Sequence, residues 1–212
     1  MQDHQIIPNI YIVGAQCSGK TTLVNQLTVQ LEDLCSELEI CKPVVISEVA
    51  RSVLKRHPIA TEDIRASPGK SLVLQKLILD AQSQAEEEAL TCSSWFLSDR
   101  SGLDPIVYAK RYVGPDAAYE LICSGSFIKI KDRIMSGSVV VICEPGVAEF
   151  VNDAVRLVPE DHQDWLRFHQ FFCDTLDELG LKYDVLPCSI SSFSNRIDFV
   201  LNKWMECYSQ CS

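Results

Sequence analysis

Basic residues are in short supply in this chain: 19 Lys and Arg stand against 29 Asp and Glu, a formal net charge of -10. Sequence-independent binding to a nucleic-acid backbone relies on clustered cations, so that partner is disfavoured on charge, although a local basic pocket is still allowed. The opening residues, Met1-Gln2-Asp3-His4-Gln5, hold neither a basic segment nor a long apolar one. No apolar run reaches the roughly 18 residues that suggest a membrane span. The expectation is a soluble cytoplasmic protein with no secretory signal. Internal repeats and low-complexity tracts are also missing. The ten cysteines are scattered and none forms C-x-x-C. Cys207 and Cys211 have helical spacing but no Cys or His nearby, and His162 and His169 fit no ligand pattern, so zinc is not expected. Reduced, mostly buried thiols are the reading that fits a chain of this size.

Apolar material is plentiful. Hydrophobic residues make up 47% of the 212, enough for a substantial core, and residues 1–212 read most simply as one domain. Five short apolar runs alternate with helical patterns. The strands are expected at Ile10–Val13, Pro43–Ser47, Trp95–Ser98, Val139–Cys143 and Tyr183–Leu186. Between them, Val73, Leu77, Ala81, Ala85 and Ala89 predict one buried helical stripe, with Glu86 to Glu88 solvated. Trp165, Phe168, Phe172, Leu176 and Leu179 predict a second, and Phe193, Ile197, Val200 and Trp204 a third; the aromatics read as core. Such alternation implies an α/β fold with a mostly parallel five-stranded sheet between helical layers, and functional loops at the C-terminal strand ends. Residues 57–69 and 146–159 are expected to be loops, the second placed to act as a lid.

The first strand runs into Gly14-Ala15-Gln16-Cys17-Ser18-Gly19-Lys20-Thr21, which fits G-x-x-x-x-G-K-[ST]. Gly14 and Gly19 permit backbone angles and close approaches that let successive N–H groups face phosphate oxygens. Lys20 brings a cation to the β- and γ-phosphates, and the Thr21 hydroxyl suits Mg²⁺. Leu23, Leu27, Leu31, Leu34 and Leu38 then recur at helical spacing, so the loop feeds a helix N-terminus that favours an anion. Residues Gly14 to Thr22 (Gly14, Ala15, Gln16, Cys17, Ser18, Gly19, Lys20, Thr21, Thr22) are the candidate nucleotide-binding set.

Other strand ends carry charge. After the second come Glu48 and, three residues on, Arg51: Glu48 could accept a substrate hydroxyl and Arg51 hold an anionic group, or the two could merely pair on the helix. The third ends in Asp99-Arg100-Ser101, with Asp104 following. A carboxylate at Asp99 could organise Mg²⁺ or orient an attacking hydroxyl, Arg100 could neutralise phosphate, and Asp104 could shape an acceptor pocket. Glu144, ending the fourth strand, competes with Asp99 for the metal-linked role. Asp99 is preferred because a basic residue accompanies it. Arg156 in the later loop could swing onto a γ-phosphate.

On Gly14–Thr21, Glu48-Val49-Ala50-Arg51, Asp99-Arg100-Ser101 and the Asp153/Arg156 pair, the chain resembles the P-loop nucleoside- and nucleotide-kinase group. It is most similar to the branch containing the nicotinamide riboside kinase domain of bacterial NAD regulators and related eukaryotic AAA-like domains. The resemblance implies a three-layer P-loop NTPase core, Mg²⁺ with ATP or GTP, and an arginine-bearing lid. The leading expectation is a kinase for a nucleoside- or nucleotide-like small molecule, with Lys20, Asp99 and Arg156 catalytic, Thr21 and Asp99 at the metal, and Glu48, Arg51, Arg100 and Asp104 at the acceptor. The alternative is a nucleotide-dependent switch with slow turnover. Phosphorylation of nucleic-acid 5′-hydroxyls is disfavoured by the acidic balance, and the sequence leaves oligomeric state open.

Overall fold

The computed structural model describes residues 6–57, 67–146 and 161–210. Five strands form one sheet: β1 (Ile10–Val13), β2 (Val44–Ile46), β3 (Phe96–Asp99), β4 (Val139–Cys143) and β5 (Asp184–Leu186). The spatial order is β2-β3-β1-β4-β5 and every pairing is parallel. These are the five runs expected from sequence, each within a residue or two at its ends. The central strands read as unbroken apolar runs because both sheet faces are covered.

Eight helices lie among the described residues: α1 (Lys20–Glu37), α2 (Val49–Arg56), α3 (Pro68–Cys92), α4 (Leu103–Tyr112), α5 (Pro115–Ile122), α6 (Gly125–Met135), α7 (His162–Glu178) and α8 (Phe193–Gln210). Alternation along the strands divides the core. Ile10, Ile12, Leu97, Val141 and Cys143 face α1 and α8, where Leu23, Leu27, Leu31, Val200 and Trp204 are buried. Tyr11, Val13, Phe96, Val140 and Ile142 face the other side, packed on Leu79, Leu103, Phe127, Trp165 and Phe172. The chain leaves β1 toward one face and β3 toward the other, so a crevice opens between these neighbours at their C-terminal ends. Ligands of open α/β sheets bind at such a switch point. No helix among the described residues is long and apolar enough to cross a membrane.

Expectations for α3 and α8 need correction. The helix starts at Pro68, with Ser67 as its N-cap and proline in the first turn, inside the segment 57–69 expected to be loop. Its buried face follows the apolar stripe only in part: Ala89 is buried and Leu77, Ala81 and Ala85 are partly buried, but Val73 is 53% exposed, and Ser71, Leu74, Gln75, Gln82, Ser83 and Glu86 are buried. Glu86, expected in solvent with Glu87 and Glu88, is 0% exposed. It accepts hydrogen bonds from Tyr11 Oη (3.0 Å), Arg133 Nη1 (3.1 Å) and Gln82 Nε2 (3.0 Å). These three donors allow a carboxylate where periodicity puts only surface. In the third stripe, Phe193 is 51% exposed and lies outside the core.

Because Glu86 depends on one guanidinium, Arg133→Met strands a buried carboxylate and is expected to cost about 3 kcal/mol of stability. The double variant Glu86→Gln/Arg133→Met recovers part of that loss. Urea denaturation of the two single variants and the double variant checks both statements.

Candidate functional site

The loop after β1 is built around two glycines. Gly14 has φ 123°, and a Cβ there would stand 2.9 Å from the Cys143 carbonyl oxygen of neighbouring β4. Gly19 has φ 80° and immediately precedes α1. Between them Cys17, at φ 59°, adopts the left-handed region that non-glycine residues seldom enter. Helices on the α7 side pin the loop: Trp165 Nε1 donates to the Gln16 carbonyl at 2.8 Å, and Tyr108 Oη donates to Gln16 Oε1 at 2.8 Å. From the opposite face, Arg196 Nη2 of α8 donates to the Ser18 carbonyl at 3.3 Å. The sequence marks Trp165 only as core and gives no sign of Tyr108 or Arg196. Their partners lie 149, 92 and 178 residues away, so no local spacing could reveal them.

Lys20 curls back across this loop. Its Nζ donates to the Ala15 carbonyl at 2.6 Å and to Ser18 Oγ at 3.3 Å, and the residue is 5% exposed. Burial, together with nearby Arg100, lowers its pKa to about 8. A buried ammonium folded onto one backbone carbonyl and one hydroxyl, with no carboxylate in direct contact, is one that an anionic ligand would stabilise. Next to it, Thr21 Oγ1 donates to Asp99 Oδ2 at 2.6 Å, joining the start of α1 to the end of β3. The second oxygen, Asp99 Oδ1, is buried and has no hydrogen-bond partner among the described residues.

That orphaned oxygen beside a hydroxyl is a fitting donor pair for Mg²⁺, which takes one or two protein oxygens and completes its shell with water and phosphate. Among the described residues no group of three or more His, Cys, Asp or Glu could hold a metal by itself. Glu144 is turned elsewhere: its Oε2 accepts from the Cys188 backbone N–H at 2.8 Å and ties β4 to the exit of β5. That bond holds its carboxyl below the usual value. Of the two competing carboxylates, Asp99 is the one in contact with the phosphate loop.

The remaining charged candidates form one cluster. Arg100, with φ 83°, turns back at the end of β3. Its Nε donates to Glu48 Oε1 at 2.7 Å and its Nη1 to Asp104 Oδ1 at 2.8 Å, with a longer contact to the Gly14 carbonyl at 3.5 Å. Arg51 Nε donates to the other oxygen of Glu48 at 2.6 Å. Asp104 Oδ2 in turn accepts from the Ser101 N–H at 3.0 Å. Burial alone would raise the Glu48 carboxyl, but Arg100 and Arg51 hold it at about 2. Glu48 is therefore ionised across the neutral range, with both oxygens occupied: it is a weak base and a strong orienter of two arginines. Above the cluster, α2, α3 and α4 enclose a cavity of about 80 Å³ lined by Gln16, Glu48, Arg51, Arg100, Asp104 and Tyr108 among others. One water needs only ~15 Å³ by this measure, so the cavity has room for a ligand. Arg156 and Asp153 lie outside the described residues.

A glycine loop with a buried lysine, a threonine bonded to a strand-end aspartate and a parallel sheet of this order define a P-loop α/β fold of the nucleotide-kinase type. A family model described as an AAA domain matches residues 9–196, and the chain belongs to that family. Among solved structures, it is similar to the NadR protein in complex with NAD and AMP-PNP, at TM-score 0.67 and 18% identity over 94% of this chain and 50% of that one. It is also similar to deoxyadenosine kinase from M. mycoides with dCMP and dCDP, at TM-score 0.58 and 13% identity over 93% and 98% of the two chains. Shikimate kinase from Acinetobacter baumannii, in complex with shikimate, gives TM-score 0.52 and 14% identity over 95% of each. The chain thus spans about half the length of NadR. No curated protein matches it in sequence.

The pH dependence of stability isolates the cluster. Glu48 titrates at about 2 in the fold against 4.5 unperturbed, so its contribution is present above pH 4.5 and is lost as pH falls toward 2. Glu48→Gln is expected to be less stable at pH 7 and to show a flatter decline across that window. Thermal unfolding of both proteins between pH 2 and pH 7 checks this.

Proposed function

We propose that this protein is a Mg²⁺-dependent kinase that transfers the γ-phosphate of ATP or GTP to a nucleoside- or nucleotide-like small molecule. The observation that carries the reading is the cavity beside the phosphate loop: Gln16 belongs to both, and Arg100 reaches from the acceptor side to the Gly14 carbonyl. A switch protein needs the phosphate loop but has no use for a second, arginine-bearing pocket at its end. The named ligands of its structural neighbours, AMP-PNP with NAD in one and dCMP with dCDP in another, are compatible with that reading.

In this mechanism the amides of residues 14–22 cradle the triphosphate and Lys20 supplies its charge to the β- and γ-phosphates. Thr21 and Asp99 would hold Mg²⁺, which would supply positive charge to neutralise the phosphates. Phosphoryl transfer goes through a loose transition state, so the acceptor hydroxyl needs orientation more than a strong base. Glu48 meets that need indirectly. By fixing Arg51 and Arg100 it places two cations where charge collects between donor and acceptor. Asp104 holds Arg100 from the other side. We also assign Arg156 to closure over the γ-phosphate, and cytoplasmic residence to the protein.

Turnover with Mg·ATP or Mg·GTP, measured with and without a panel of nucleosides, tests the assignment. Strong stimulation by an acceptor is expected; slow turnover that ignores every acceptor would favour the switch. Asp99→Asn is expected to lower turnover about 100-fold or more with a modest loss of binding, and Glu144→Gln to do less. The reverse order would move the metal-linked carboxylate to β4. Lys20→Ala is expected to weaken triphosphate binding or turnover while leaving the circular dichroism spectrum unaltered.

A further inference from the structure

Alternate carbonyls of the glycine loop are held from outside. Arg100 Nη1 donates to the Gly14 carbonyl at 3.5 Å, Trp165 Nε1 to that of Gln16 at 2.8 Å and Arg196 Nη2 to that of Ser18 at 3.3 Å. The donors stand on separate elements: Arg100 at the exit of β3, Trp165 near the start of α7 and Arg196 near the start of α8. Trp165 is wholly buried among the side chains on one face of the sheet. Ile197, the residue after Arg196, is buried on the other. The loop is therefore gripped from both faces.

A trans peptide unit points its C=O and its N–H in opposite directions. A carbonyl drawn toward α7 at Gln16 turns the Cys17 N–H away from α7. In the same way, a carbonyl drawn toward α8 at Ser18 turns the Gly19 N–H away from α8. Pulled from opposite faces, the two N–H groups converge on the middle of the loop. The backbone agrees with this, since Cys17 at φ 59° and Gly19 at φ 80° both take the left-handed conformation that aims neighbouring amides at one anion. Cys17 is not a glycine, so that conformation needs outside support. The ties on either side of it supply such support. Arg100 is the weakest of the three donors here, because its contact is the longest and its guanidinium already serves Glu48 and Asp104.

We propose that Trp165 and Arg196 are positioning residues for phosphate binding. They act through the loop backbone rather than on the ligand: each fixes one peptide unit so that its N–H faces the phosphates before they arrive. Amides aimed in advance need no rearrangement on binding, which is affinity gained without a new contact. The inference rests on reading the glycine loop as the triphosphate site, and it is independent of the acceptor.

The three tryptophans of the chain provide the test and its controls. Trp95 Nε1 donates to the Cys41 carbonyl and Trp204 Nε1 to the Pro8 carbonyl, each at 2.8 Å and both at the opposite end of the sheet. In ¹⁵N NMR of the whole chain, Mg·AMP-PNP or Mg·GMP-PNP is expected to shift the indole N–H signal of Trp165, assigned with Trp165→Phe. The signals of Trp95 and Trp204 are expected to stay in place. Calorimetry with the same ligand is expected to give a Kd about tenfold weaker in Trp165→Phe and in Arg196→Met, the scale of one lost hydrogen bond. Arg196→Lys keeps a cationic donor and is expected to recover most of that loss. Each variant is titrated well below its own Tm, so a merely structural role would lower Tm and leave Kd unchanged. That result, or a Trp165 signal unmoved by bound ligand, overturns the inference. No binding of either ligand at millimolar concentration overturns it together with the kinase. Binding as expected with no acceptor ever phosphorylated removes the kinase and leaves the two positioning residues standing. Acceptor-stimulated turnover with Kd unchanged in both variants does the reverse.

Discussion

Much of the site depends on one buried guanidinium. Arg100 stands at the end of β3 in a left-handed backbone conformation, with its side chain 12% exposed. A charge in such a place must be met on several sides, and the meeting groups come from separate parts of the chain: Glu48 from the exit of β2, Asp104 from α4 and the Gly14 carbonyl from the phosphate loop. Each partner has a further tie, Glu48 to Arg51 and Asp104 to the Ser101 amide. The result is a lattice of short charge-assisted bonds across the C-terminal edge of three adjacent strands. Removing any one carboxylate leaves cationic charge buried and exposed to the rest, which is why the group acts as a unit.

The two halves of the site use charge differently. On the glycine-loop side Lys20 rests on the Ala15 carbonyl and the Ser18 hydroxyl rather than on a carboxylate, and its pKa is brought down to about 8 by burial and by Arg100. The acceptor side is balanced, with two carboxylates and two guanidiniums in contact. An unmet cation thus stands next to a neutralised cluster. Gln16 spans the border, its carbonyl held by Trp165 and its side chain by Tyr108, so the glycine loop is tied to the wall of the neighbouring cavity.

What the sequence made legible follows from which signals are local. Unbroken apolar runs mark strands covered on both faces, and all five were readable for that reason. The phosphate loop was readable because glycine and lysine must occur at fixed spacing there. Asp99 drew notice as a carboxylate ending an apolar strand beside that loop, and its Oδ2 accepts from Thr21 Oγ1. The failures share a cause as well. Glu86 to Glu88 reads as a solvated triplet, and only the arrival of Tyr11 and Arg133, 75 and 47 residues distant, makes a buried carboxylate tolerable. Gln75 and Gln82 were passed over for a similar reason: a glutamine is featureless in sequence until the wall it stands in is known.

The misread helix is the informative one. α3 buries serine, glutamine and glutamate along much of its inner face, while Val73 lies on the surface. Burial of that kind costs free energy unless every polar atom is matched. Toward the sheet the matching is done by the protein, through Tyr11, Arg133 and Ser98. On the side away from the sheet, Gln75 and Gln82 line the cavity. Polar groups held from behind and opening in front onto a cavity replace the apolar periodicity along this face, which is what hid it from the sequence.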